Sequence, residues 1–230
     1  MGSTAVPLYS SGFSWGDFEL MLQGAGITLV LTLLSGAAGT ALGIVVGWAR
    51  TLDRWYITYP LVGYIDVIRS VPLIIQFILF NSVFAILGFR ISPFWSGMFT
   101  LSLYIGGYVA EVVKAGIDSV PRNTRRAARG LGMSYFQDLR YVTLPIGVKA
   151  VFPAWIGLML GLMKDTSLIA VLGATPPELL RASQIIINRI QEPLLILLGA
   201  GVFYFVMCAV ISRFGGRVEA RWAIERGVLR

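Results

Sequence analysis

The chain has 230 residues, of which 56% are hydrophobic and only 13% charged, with a formal net charge of +7 and a mean hydropathy of +0.75. A soluble domain carries about 25% charged residues, so the composition excludes soluble globular, disordered and collagen-like classes and points to an integral membrane protein. Cys208 is the single cysteine and histidine is absent, which excludes an intrachain disulfide, imidazole-held haem, histidine zinc sites and a histidine general base.

Uncharged runs at 20–49, 70–89, 91–110 and 193–212 each reach the ~20 residues that cross about 30 Å of hydrocarbon. A further region, 145–175, is divided only by Lys149, Lys164 and Asp165. Five spans and an all-α fold are therefore expected, at about 20–49, 56–89, 91–113, 146–174 and 193–212. The connections at 50–54, 114–149 and after Ser212 hold fourteen of the nineteen basic residues. By the positive-inside rule the amino terminus is expected outside and the carboxyl terminus in the cytoplasm. No signal peptide is expected, because no basic residue precedes Arg50 and Asp17 and Glu19 flank the first span. Anionic lipid and an inside protein partner account for the positive balance, so no nucleic acid is needed.

In chain order, Gly39, Gly43 and Gly47 recur every four residues on the first span. Their spacing lets helix backbones approach closely in lipid, and the expectation is packing inside one subunit, with a dimer seam as the alternative. Gly157 and Gly161 repeat the spacing on the fourth span. Asp66 and Arg69 share one helical face. Ser70 then precedes Val71 and Pro72, which predicts a break with Ser70 as the cap of the next helix. Gln76 and Asn81 lie further along. Polar groups at this depth, costing about 2.5–3.5 kcal/mol each when ionised, cluster again at Lys164, Asp165, Thr166 and Ser167. They read either as a packing cluster or as a polar pathway for a solute.

The loop between the third and fourth spans is the other landmark. Ser119 and Pro121 predict the start of a short helix, along which Arg122, Arg125, Arg126 and Arg129 form one basic stripe beside Ala127, Ala128 and Leu131. Gly132 predicts its end, and Ser134 with Gln137 predicts a capping box for a second short helix. Pro145 opens the fourth span. On composition alone the stripe also suits an interfacial helix lying on anionic lipid.

At this loop a family resemblance emerges. Ala127-Ala128, Gly132 and Val142-Thr143-Leu144-Pro145 resemble the EAA–G–I-x-L-P loop by which ABC importer permeases grip their ATPase. Arg69-Ser70-Val71-Pro72-Leu73 is similar to the R-[GS]-x-P-L motif of polar amino acid permeases. Tyr108-Val109-Ala110-Glu111 before Lys114-Ala115-Gly116-Ile117 looks like a further motif of theirs, and Lys164-Asp165-Thr166-Ser167-Leu168 resembles their [KQ]-x-T-S-L. The chain is thus similar to the histidine/glutamine-type permeases, and its variants lean toward glutamate/aspartate-type members. It departs from the pattern where Arg126 replaces the usual loop glutamate and Arg122-Asn123 the usual Gly-Gln.

The resemblance implies a five-helix type I importer fold in a bacterial inner membrane, with an external tail at 1–18, a permease domain at 19–213, a coupling loop at about 118–145 and a cytoplasmic tail at 214–230. It implies that Thr124, Arg126, Ala127, Ala128, Gly132, Leu144 and Pro145 meet an ATPase. It also implies that Arg69, Gln76, Lys164, Asp165, Thr166 and Ser167 line a substrate pathway. The implied partners are a pair of ATPase subunits carrying ATP and magnesium, a second permease copy or sister permease, and an external amino acid binding protein. This chain itself would hold no cofactor, metal or catalytic residue. A membrane-embedded enzyme and a non-catalytic anchoring subunit of another complex are the competing classes.

Overall fold

The computed structural model describes residues 12–52 and 54–225, with side chains through residue 222. Residues 1–11 of the expected outer tail, Asp53, and 226–230 of the expected inner tail, with Arg226 and Arg230, lie outside the described residues. All regular structure among the described residues is helical.

Helix α1 (Trp15–Ala49) starts at a capping box, in which the Ser14 amide and hydroxyl both donate to Asp17 at 2.8 Å. Asp17 also receives Arg189 from the other end of the chain. The glycine stripe faces α4 (Pro93–Asp118), the helix against which α1 packs along most of its length. A methyl at Gly43 would come 2.6 Å from Val109 Cβ, and one at Gly47 2.6 Å from the Ala110 carbonyl oxygen. The expected packing inside one subunit therefore holds for α1. It does not hold for the second glycine pair, since, apart from the helix's own neighbouring backbone, no atom of the described residues lies within 4 Å of a methyl placed at Gly157 or Gly161.

Close approach replaces the missing hydrophobic drive between helices in lipid, so Gly43 is a sensitive position. Gly43→Leu should cost about 1–3 kcal/mol or more by overpacking. That lowers the thermal midpoint of the detergent-solubilised protein by roughly 2–12 °C. Gly63→Leu, where a side chain meets open space, should leave the midpoint unchanged.

Helices α2 (Trp55–Ser70) and α3 (Leu73–Ile86) are bent by 112° at the expected break. Val71 is pushed into extended geometry by the following proline, with φ −87° and ψ 128°. Ser70 does not cap α3; the residue at that position is Pro72, with no side-chain hydrogen bond. Gln76 closes the corner instead. Its Nε2 donates to the carbonyls of Ile68 and Val71, each at 2.8 Å.

After α4 come α5 (Arg122–Gly130) and α6 (Tyr135–Asp138), then a π-helical turn (Leu139–Thr143) running directly into α7 (Leu144–Asp165). A 3₁₀ turn (Thr166–Leu172) comes after α7, so the polar cluster marks a change of helix type rather than the middle of a straight span. Two features differ from expectation. The connection after 172 contains an amphipathic helix, α8 (Leu179–Ile190), and α9 (Pro193–Glu225) continues as helix well past its uncharged stretch. Among the described residues four helical stretches are long and apolar enough to cross a membrane, five if the bent α2–α3 pair is one span. The core lies where α1, α3, α4, α7 and the 3₁₀ turn meet, around Leu31, Phe77, Leu101, Ile105, Leu162 and Ile169.

Candidate coupling surface and polar pathway

Nine-residue helix α5 is too short to be stable alone; the way it is held decides what it can do. Its arginine stripe divides into two faces. Arg125 Nε lies 3.4 Å and Arg129 Nε 3.7 Å from Oδ2 of Asp138, whose side chain is 1% exposed. The Thr143 hydroxyl donates to the other carboxyl oxygen at 3.3 Å. One carboxylate thus joins α5, α6 and the π turn. Arg122 and Arg126 stay exposed.

The end of α5 is set by its glycine. Gly132 adopts φ +85°, the Leu131 amide donates to the Ala127 carbonyl, and the Met133 amide reaches back to the Ala128 carbonyl at 3.2 Å, a Schellman-type closure. The predicted Ser134–Gln137 capping box is present in both directions. Trp48 Nε1 donates to the Tyr135 hydroxyl at 3.2 Å, and the Arg129 guanidinium stands 5.6 Å from the Tyr135 ring centre. The loop is therefore fastened to the end of α1 as well as to α7.

Of the residues read from the sequence as the coupling surface, Thr124, Arg126, Ala127, Gly132, Leu144 and Pro145 are exposed and Ala128 is buried. Leu131 and Phe136 stand out beside them, 83% and 70% exposed. Sequence reasoning missed Asp138 because it was one acid in a strongly basic loop.

The pathway residues are scattered more widely. Arg69 does not pair with Asp66; its Nη1 lies 3.8 Å from Glu111 Oε1 and its guanidinium 5.3 Å from the Tyr108 ring centre. The same Glu111 oxygen receives Arg50 Nη1 at 2.7 Å. Tyr108 and Tyr104 have ring centres 4.9 Å apart and hydroxyls 3.5 Å apart. Tyr104, Tyr108 and Glu111 fall at i, i+4 and i+7 on α4, one face. Through Glu111 and Tyr108 this face meets Arg69 and Arg50 at the ends of α2 and α1.

The other pathway candidates lie apart from this ladder. Gln76 is 3% exposed, with its amide nitrogen committed to the α2–α3 corner and Oε1 buried without a hydrogen bond among the described residues. Thr166 is fully buried and donates to the Met163 carbonyl. Lys164 is exposed, and the Ser167 hydroxyl bonds back to the Lys164 carbonyl at 2.7 Å. The tyrosines and Glu111 were missed as a set because aromatic side chains inside a span read as apolar. Their helical spacing was the signal that would have found them. No group of three or more acidic or cysteine side chains suited to a metal occurs among the described residues.

Residues 39–224 match the family described as binding-protein-dependent transport system inner membrane components. The chain belongs to that family. It is 33% identical over 212 residues to the glutamine transport system permease protein GlnP of Escherichia coli, covering 91% of this chain and 96% of that protein. It is 30% identical over 208 residues to the arginine transport system permease protein ArtQ of Bacillus subtilis, covering 89% and 93%. A solved amino acid ABC transporter superposes with a TM-score of 0.82 at 27% identity, over 92% of this chain and all of that one. An inward-facing MetNI methionine ABC transporter superposes with a TM-score of 0.78 at 20% identity, over 95% of this chain and all of that one, which shows the shared fold. This permease is accordingly a multi-pass transport subunit of the inner membrane.

Proposed function

We propose that this permease forms the translocation pathway of an ATP-driven importer for polar amino acids. The observation that carries this reading is its near end-to-end likeness to the glutamine and arginine permeases. It has five spans, counting α2–α3 as one, with the amino terminus outside and the carboxyl terminus in the cytoplasm, as the fourteen basic residues on one side support. The permease domain occupies 19–213 with the coupling loop at 118–145, and the short tails at 1–18 and 214–230 face opposite sides. Two such subunits, identical or sister, pair in the membrane, and an external binding protein delivers the amino acid.

A pair of ATPase subunits grips the exposed face of α5 and the Leu131–Phe136 shoulder. ATP and magnesium are held on those partners. Movement of α5 is passed through Asp138 to the π turn and α7, and so to the polar residues at the end of α7. Along the pathway, Arg69, Lys164 and Ser167 offer donors to a carboxylate, Asp165 and the tyrosines offer acceptors to an ammonium, and Gln76 and Thr166 hold the walls in place. The chain performs no catalysis of its own.

Reconstitution tests this. Liposomes holding the permease with its co-purified ATPase, supplied with binding protein and ATP, should take up labelled glutamine, glutamate, aspartate or arginine. Uptake should vanish without any one component. Uptake that is indifferent to ATP would refute the reading.

The coupling surface has its own test at Gly132, where a methyl would meet no atom of the described residues beyond its chain neighbours within 4 Å and only the positive φ opposes substitution. Gly132→Ala should therefore cost about 1–2 kcal/mol of local stability and keep the ATPase bound. Gly132→Trp fills the space in front of α5 and should release the ATPase on size-exclusion chromatography while the protein still inserts. Retention of the ATPase by Gly132→Trp would remove Gly132 from the interface.

A further inference from the structure

The face of α5 carries more positive charge than this chain neutralises. Four arginines and no acidic residue fall within its nine positions. Arg122, Arg125, Arg126, Arg129 and Asp138 line an open cavity of about 350 Å³, so four guanidiniums and one carboxylate leave a net charge of +3 on its walls. Asp138 is already engaged, Oδ2 with Arg125 and Arg129 and Oδ1 with the Thr143 hydroxyl. Arg122 and Arg126 are exposed and form no ion pair among the described residues.

This arrangement works against the helix that carries it. Arg122 and Arg126, and again Arg125 and Arg129, stand four apart, where like charges repel. Arg122 also occupies the first helical position, at the positive end of the macrodipole, and no acid in the first turn offsets it. Anions from outside the chain relieve both strains, and they come either from lipid headgroups or from a protein's carboxylates. A helix that lies on lipid buries an apolar face in it. Between its arginines α5 has only Asn123, Thr124, Ala127 and Ala128, and Ala128 is buried inside the protein. Leu131 and Phe136 stand exposed beside the stripe. Arginines flanked by a large aliphatic and an aromatic side chain are the make-up of a protein-binding centre.

We propose that the ATPase groove receiving this loop is acidic, presenting carboxylates to Arg122 and Arg126 beside an apolar socket for Leu131 and Phe136. Resting on the transport reading, this names the chemistry of the partner at the coupling surface. The planar guanidinium donates two parallel N–H bonds to one carboxylate, which fixes the roll of α5 as well as holding it. The stripe thereby divides its labour. Arg125 and Arg129 tie α5 to the permease through Asp138, and Arg122 and Arg126 tie it to the ATPase. Asp138 is 1% exposed, whereas the outward pair meets its partner at a surface that salt reaches and screens.

The test follows dissociation of the ATPase from the complete complex in nanodiscs of phosphatidylcholine, with and without phosphatidylglycerol. Raising salt from about 50 to about 500 mM should weaken the wild-type contact about tenfold or more. Arg122→Glu combined with Arg126→Glu should weaken it about tenfold or more at low salt and flatten the salt dependence. Helical circular dichroism and thermal midpoint should stay at wild-type values, since the Asp138 anchor is untouched. Arg126→Lys keeps the charge and supplies an amine, which a carbodiimide joins to a carboxylate in direct contact. Mass spectrometry should then find position 126 bonded to an aspartate or glutamate of the ATPase. Wild-type affinity and salt dependence in the double variant would overturn the proposal, and so would absence of any ATPase carboxylate bonded at position 126. A loss of affinity in the double variant that occurs only where phosphatidylglycerol is present would also overturn it, assigning the arginines to lipid. Uptake by liposomes holding the same complex separates the two readings. ATP-driven uptake with a salt-indifferent contact overturns the acidic groove alone. A salt-sensitive, cross-linked contact without uptake refutes transport and leaves the acidic groove standing.

Discussion

Replacing Asp138 with alanine should cut uptake by on the order of tenfold or more while the spans still fold and insert. Asp138 is the counter-charge for Arg125 and Arg129 and the acceptor for Thr143, and α5 has no other described anchor of comparable geometry. Breaking a fully buried ion pair costs about 3–5 kcal/mol. Here the arginine side chains are 31% and 47% exposed and can turn to water, so about 1–2 kcal/mol is the better expectation.

That is enough to unhook a helix of two to three turns, because about 1.4 kcal/mol shifts an equilibrium tenfold. Limited trypsin digestion reads the effect directly. Cleavage after Arg122, Arg125, Arg126 and Arg129 should accelerate about tenfold in Asp138→Ala and far less in Asp138→Asn, which still accepts from Thr143. Helical circular dichroism should be unchanged. If the trypsin rate stays at the wild-type level, Asp138 does not hold the lever.

Elements governed by local chemistry were legible in the sequence. Val71-Pro72 located the α2–α3 corner because proline restricts the residue before it. Ser134–Gln137 and Gly132 located the loop helices because caps and positive φ are local requirements. The absence of charge located the spans, and the same scan hid α8. Leu179, Ala182, Ser183 and Ile186 recur at i, i+3, i+4 and i+7 and are all buried, a readable amphipathic stripe, but Arg181 and Arg189 interrupt it. In α9 the charges from Arg213 onward ended the uncharged run, whereas backbone hydrogen bonding continued to Glu225.

What the sequence withheld was pairing across long separations. Arg69 had Asp66 at a suitable helical spacing, yet Glu111, forty-two positions on, is its partner because α2 and α4 lie side by side. Asp138 shares this character: an isolated acid in the basic loop, it becomes the meeting point of α5, α6 and the π turn once the chain is folded. In a molecule with so few charges, such points carry the connections that apolar packing cannot, since lipid-facing and protein-facing apolar surfaces differ little in energy.

The end of α7 makes the second large prediction, because its two charged residues stand in different environments. Asp165 is half-buried, whereas Lys164 is exposed. On the proposed transport reading, Asp165→Ala removes an acceptor for a substrate ammonium, and a hydrogen bond to a charged group is worth about 1.5–3 kcal/mol. Uptake at limiting substrate should therefore fall about 10- to 100-fold. Lys164→Ala should lower it by no more than a few-fold, because water already competes for that side chain. Asp165→Asn preserves shape and hydrogen bonding but not charge, so it should behave like Asp165→Ala if charge recognition is the role. If packing is the role, Asp165→Asn should behave like wild type and Asp165→Ala should lower the thermal midpoint. Measured together, uptake and thermal midpoint separate the two roles. Wild-type uptake in Asp165→Ala would remove this carboxylate from the pathway and leave Arg69, Tyr104, Tyr108 and Glu111 as a structural tie between α2 and α4.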